Sequence, residues 1–178
     1  WISRAKLFQD IDNQGLEETY IGMPSLVLNT NYQEPLSKED REDNGVVWVY
    51  ETMKYHFNEI DQLRGWERIN PISPNPRRES LNSYKKAIEL TDPEKREKLE
   101  EKLKVDLVAL KDQFRRSGQS YYFLLEYVAA LESFQSILEI NEIEVFGGEI
   151  DTLMVNYSGI VAREIGRISM EAGEKEKA

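Results

Sequence analysis

From Thr91 to Ala172 apolar residues recur every three or four positions with only two interruptions, and that period commits the second half of the chain to α-helix. Thr91 with Glu94 matches a capping box, and Pro93 falls in the first turn, where its missing N–H is harmless. The helix that follows carries Leu99, Leu103, Leu107, Leu110 and Phe114 on one stripe. It is predicted to run to about Arg116, with Ser117–Gly118 as its stop. Tyr121 to Phe146 is nearly hydrophobic all round as far as Leu138. Such a helix must be surrounded by protein, so it is predicted to be the central one. Gly147–Gly148 breaks the chain, and Ile150 to about Ala172 forms the last helix through Leu153, Met154, Tyr157, Ile160, Val161, Ile165 and Ile168. Short breaks between long helices imply up-down-up hairpins. The expected fold class is therefore all-α: a helical bundle of about four to five helices, with a long N-terminal loop region and a proline-rich connector.

The N-terminal part is less regular. Trp1 to Asn13 reads as an amphipathic helix through Ile2, Ala5, Phe8 and Ile11, and Gly15, Gly22 and Pro24 then break the pattern. Ser25 to Asn44 looks like a loop holding one short extended piece. Helix and strand compete between Val46 and Leu63. Val46 to Tyr50 has strand composition, and Asn44–Gly45 is a hairpin signal. Against this, Val46, Val49, Tyr50, Met53, Phe57, Ile60 and Leu63 keep three-and-four spacing over the whole run, which favours helix. Pro71, Pro74 and Pro76 exclude a helix from Asn70 to Arg77, and a short helix follows over Ser80 to Leu90. One domain is expected across 1–178: helices and loop over 1–64, connector over 65–79, bundle core over 80–173 and a solvated tail over 174–178.

Composition narrows the function by exclusion. The net charge of −10, from 33 acidic against 23 basic residues, repels a phosphate backbone. The pairs Arg77/Arg78, Arg115/Arg116 and Lys85/Lys86 are too scattered for a nucleic-acid stripe. The absence of cysteine removes disulfides, thiolate metal sites and cysteine nucleophiles. No phosphate loop, dinucleotide fingerprint, nucleophile elbow or calcium loop occurs. No catalytic residue and no cofactor ligand is therefore assigned.

Two weak metal readings stand. His56 is the only histidine, and on a helix it would share a face with Glu59, giving two ligands. Glu126, Glu132, Glu139 and Glu164 lie on helices expected to pack together, as in carboxylate-bridged metal bundles. The Glu-x-x-His motif of such bundles does not occur. The bland readings are a singly bonded histidine and carboxylates reaching water. A third feature is sharper. Gly159, Ala162, Gly166, Ser169 and Gly173 form one stripe of small residues along the last helix, and each interior glycine costs about 1 kcal/mol relative to alanine. Close packing within the bundle, packing against a second chain, and tolerance near a fraying end are the available reasons.

Arg4 to Asp12 (Arg-Ala-Lys-Leu-Phe-Gln-Asp-Ile-Asp), Pro24–Ser25–Leu26 and the segment His56–Phe57–Asn58–Glu59 give the N-terminal third a family likeness. It resembles an uncharacterised family of bacterial proteins with an N-terminal membrane anchor and a cytoplasmic helical domain. That resemblance implies tethering and assigns no site residue. Trp1 and Ile2 followed by Arg4 and Lys6 also read as the cytoplasmic end of a spanning helix, the alternative being a trimmed leader before an ordinary amphipathic helix. The leading functional expectation is a non-catalytic protein–protein interaction or scaffold domain, cytoplasmic or tethered to the inner membrane face. Its partner would be another protein, or a further copy, bound through the last helix. A self-associating component of a phage or secretion assembly is the alternative, and an enzyme with a carboxylate and His56 site is the second.

Overall fold

Between Ser37 and Arg68 the chain pairs with itself instead of coiling, which overturns the all-α, helical-bundle expectation. The structure, a computed structural model, describes every residue except Gln33, Glu149 and Ala178, with side chains as far as Gly173. Strands β1 (Ser37–Asp40), β2 (Val46–Val49), β3 (Met53–Phe57) and β4 (Leu63–Arg68) form an antiparallel meander in chain order. The run from Val46 to Leu63 satisfies both periods, and its turns decide between them. Asn44 and Asp61 take left-handed φ values of 60° and 59°, which asparagine and aspartate tolerate and a continuing helix forbids. Alternation then sends Trp48, Met53, Tyr55, Phe57, Leu63 and Trp66 into one buried layer with Leu16, Met23 and Leu28. Ile60, counted on the helical stripe, sits exposed in the turn before β4.

Six α-helices complete the described residues: α1 (Ile2–Asn13), α2 (Ser25–Asn31), α3 (Pro76–Glu89), α4 (Pro93–Phe123), α5 (Tyr127–Asn141) and α6 (Thr152–Lys177). The expected loop between Ser25 and Asn44 holds α2 and β1. The proline connector ends sooner than expected, because Asn75 caps α3 by accepting from the Arg78 N–H at 3.2 Å and Pro76 occupies the first turn. Asp92 takes the N-cap position of α4 that was expected of Thr91, whose hydroxyl donates to the Ala87 carbonyl at 2.8 Å.

Gly118 does not stop α4. It lies buried inside the helix, where a Cβ would stand 2.5 Å from Cε1 of Phe134. The glycine admits the aromatic ring of α5 against the α4 backbone. The break comes instead at Leu124–Glu126, with Leu125 at φ 64°. The predicted central helix over Tyr121 to Phe146 is thus two helices, and the bundle core is carried jointly by Leu107, Leu110 and Phe114 of α4 and Phe134, Ile137 and Ile140 of α5.

Two separate apolar cores result, one among the helices and one on the sheet. Polar groups join them. Ser120 of α4 accepts from the Trp66 N–H at 3.0 Å beside Gly65, where a Cβ would meet Ser120 Oγ at 2.9 Å. Gly118→Ala should cost about 1–3 kcal/mol through overpacking against Phe134. Urea unfolding followed by tryptophan fluorescence measures it, and an unchanged midpoint would contradict the close helix approach.

Candidate functional site

The seam between the two cores contains a cleft of about 270 Å³ lined by charged and hydroxyl side chains. Its floor is a buried ion pair. Arg77, in the first turn of α3, donates from Nη1 to Asp12 Oδ1 at 2.8 Å, with side-chain exposures of 9% and 3%. Arg77 also donates from Nη2 to the Tyr121 hydroxyl at 3.1 Å, and its Nε is buried without a partner. Arg68, at the end of β4, donates to the backbone carbonyl of Asp12. Pro71 and Pro74 form one wall, so the connector's fixed φ values shape the cleft. Glu67 of β4 and Glu126, at the N-cap of α5, line it from the other side.

Burial and the neighbouring charge of Glu67 push the Glu126 carboxyl above its ordinary range. Among the described residues Glu126 has no side-chain partner, and Arg68 has no carboxylate within ion-pair distance. The cleft therefore presents unpaired charges of both signs.

His56 lies on β3, buried, on the sheet face that α4 covers. Its Nδ1 stands 2.9 Å from Arg41 Nη1. A guanidinium only donates, so Nδ1 accepts and the ring proton resides on Nε2. Nε2 is 2.8 Å from Glu67 Oε1, off the line of a good hydrogen bond. Burial lowers the His56 pKa below 6.5, Glu67 opposes that shift, and Arg41 adds to it. Glu59 sits exposed in the following turn and shares no helical face with His56. Among the described residues no group of three or more histidine and carboxylate side chains is placed to hold a metal.

The other sequence candidates are dispersed. Glu139 bridges Arg78 and Lys85 at 2.5 Å each, Glu164 pairs with Arg167 at 2.9 Å, and Glu132 is exposed. Gly159, Gly166 and Gly173 would carry a Cβ into open space, and Ala162 and Ser169 are exposed. Among the described residues the glycines of the stripe thus make no close contact, which removes packing within the bundle from the three available reasons. Asp12, Arg68, Arg77 and Glu67 were not among the sequence's site candidates. Arg77 stands among basic pairs too scattered for a stripe, and nothing periodic marks a lone charge that folds inward.

Comparison with known protein families, with curated proteins and with solved structures finds no match. Among the described residues no helix is long and apolar enough to cross a membrane.

Two outcomes follow from this geometry. Asp12→Ala strands the Arg77 charge and should cost about 3–5 kcal/mol, whereas Asp12→Leu combined with Arg77→Met should recover most of it. A double variant no more stable than Asp12→Ala, by urea unfolding, would show that the pair is not the determinant. For His56 the unfolded state binds the proton more readily than the folded state. Its contribution is therefore intact above pH 6.5 and declines as pH falls below 6.5 toward the lowered folded value. Stability measured from pH 7.5 to 5 should fall less steeply in His56→Gln than in the parent; parallel slopes would refute the neutral buried imidazole.

Proposed function

We propose that the chain is a non-catalytic protein-interaction domain that presents α6 to a protein partner. The observation that carries this reading is the exposure of α6 itself. Twenty-six residues rise about 39 Å against about 22 Å for the 15-residue α5, its main neighbour, so the last turns outrun their support. Every residue from Gly166 to Ala172 is exposed, including Ile168 and Met170. Met154 and Val161 anchor the inner face, while Val155, on the same side as the small-residue stripe, is 46% exposed.

A stripe of glycine, alanine and serine beside exposed apolar side chains admits close approach of another backbone. Glycines there lower helix propensity and meet no neighbour among the described residues, which favours a function outside the chain. The expected tether to the inner face of a membrane belongs to the same proposal. It is supported by Trp1, which is more than half exposed, and by Arg4 and Lys6 at the same end of α1.

In-cell photo-crosslinking tests the reading. A benzophenone side chain at Gly166 should give a discrete adduct that one at exposed Glu97 on α4 does not give. An adduct of twice the chain's mass identifies a second copy, and any other discrete mass a different protein. No adduct at Gly166, or the same products from both positions, overturns the proposal.

A further inference from the structure

We infer that His56 is a proton-operated latch: as a neutral ring it holds the β1–β2 turn to β3 through Arg41, and on taking a proton it lets that turn go. The inference is independent of the reading of α6. It rests on the atoms that meet around the ring and on what else holds the turn.

The imidazole stands between two groups of opposite charge. Arg41 Nη1, from the turn, is 2.9 Å from Nδ1, and Glu67 Oε1, from β4, is 2.8 Å from Nε2. Nδ1 receives a guanidinium N–H only while it keeps its lone pair, so this contact belongs to the neutral ring alone. A proton on Nδ1 sets donor against donor and cation against cation. The same proton turns the contact between Nε2 and Glu67 into an ion pair. Protonation thus moves the ring's attraction from the turn to β4.

The other neighbours do not reverse this exchange. Glu39, Val47, His56 and Gly65 stand in one row across the sheet, so Glu39 of β1 lies beyond Val47. Lys54, on the same face of β3, is a second cation opposed to a charged ring. From α4, the uncharged Ser120 and Leu124 stand over Gly65, and Arg64 of β4 is turned onto the Phe123 ring.

Little else holds the turn. Its backbone closes on itself, with the Arg41 N–H donating to the Gly45 carbonyl at 2.9 Å and the Asn44 N–H to the Arg41 carbonyl at 3.2 Å. Arg41 also pairs with Asp43 at 3.0 Å, and Asp43 accepts from the Gly45 N–H at 3.2 Å. All these bonds lie within the turn. Among the described residues the Arg41–His56 bond is the only side-chain hydrogen bond from Arg41–Gly45 to another strand. Strand β1, which leads into the turn, is exposed throughout and pairs with β2 alone. This corner can therefore open while the core around Tyr55 and Trp66 stays closed.

Linkage gives the direction. Burial lowers the His56 pKa below 6.5, Glu67 opposes that shift, and Arg41 adds to it. Departure of Arg41 admits water and removes a repelling cation, so the open form binds the proton more tightly than the latched form. Acid favours the open turn by as much as those two affinities differ.

Amide hydrogen exchange and ring NMR of the whole chain, from about pH 7.5 to about pH 5, test the latch. Protection of the Arg41 and Asn44 amides, corrected for intrinsic rates, should fall about tenfold or more as the His56 ring titrates, while Tyr55 and Trp66 stay protected. Asp43 does not titrate in this range, because the Gly45 N–H, helped by Arg41, holds its carboxyl below the usual carboxylate range. Arg41→Ala should leave the turn open already at neutral pH and raise the His56 midpoint. His56→Gln should make protection of the turn independent of pH. The latch is overturned if His56 titrates while the turn amides keep their protection, if His56→Gln loses protection as the parent does, or if Arg41→Ala leaves the midpoint where it was.

Discussion

The rest of the fold depends on one buried ion pair. Asp12 closes α1 and Arg77 opens α3, so their 2.8 Å contact sets the angle at which the first helix meets the bundle. The same aspartate holds β4 through its carbonyl, and the same arginine reaches Tyr121 on α4. Four elements converge on two residues. Removing two ions from water costs several kcal/mol each, and the pair returns this only where geometry and further hydrogen bonds are good. Arginine suits the position because its guanidinium stays charged and offers several donors at once. An apolar pair could stabilise the seam as well, and the residue-12 carbonyl would still receive Arg68, but Tyr121 would lose its donor.

A seam of this kind explains how two cores coexist in one domain of modest size. The sheet core gathers around Tyr55 and Trp66, and the helical core around Leu107 and Phe134. Neither is continuous with the other. Between them run directed contacts: Arg116 donates to the Leu16 and Thr19 carbonyls at 3.2 and 3.4 Å, and Ser120 accepts from Trp66. Apolar layers slide with little penalty, whereas hydrogen bonds fix register. The polar cleft is what remains where this directed packing stops short of filling space.

Long helices were legible because their period is sustained. The stripe from Leu103 to Phe114 could only be a helix, and Leu103, Leu107, Leu110 and Phe114 are all buried. The sheet was not legible, because its apolar residues happen to fall at helical spacing. The Asn44–Gly45 hairpin signal was readable but outweighed by that spacing, and the left-handed backbone at Asn44 and Asp61 decides for strands. Gly118 misled for the opposite reason: a glycine in a helix signals either an end or a close neighbour, and only Phe134 on the next helix tells which. The glycines of the stripe on α6 meet no neighbour among the described residues, which spacing alone does not reveal. The cleft was invisible because Asp12, Arg68 and Arg77 stand far apart in sequence and follow no motif.

Placement of the arginines also changes what the net charge of −10 means for a partner. Arg68, Arg77 and Arg116 turn inward onto Asp12, Asn13 and backbone carbonyls of the loop after α1. Charges spent this way contribute little to the outer field, while most carboxylates stay at the surface. The face seen by an approaching molecule is therefore more acidic than composition alone implies, and long-range attraction selects basic or neutral partners. On α6 the pattern differs. Arg167 is bracketed by Glu164 at 2.9 Å and Glu171 at 2.6 Å, a local cancellation beside the small-residue stripe. The exposed face of α6 is thus closer to neutral than the acidic surface around it.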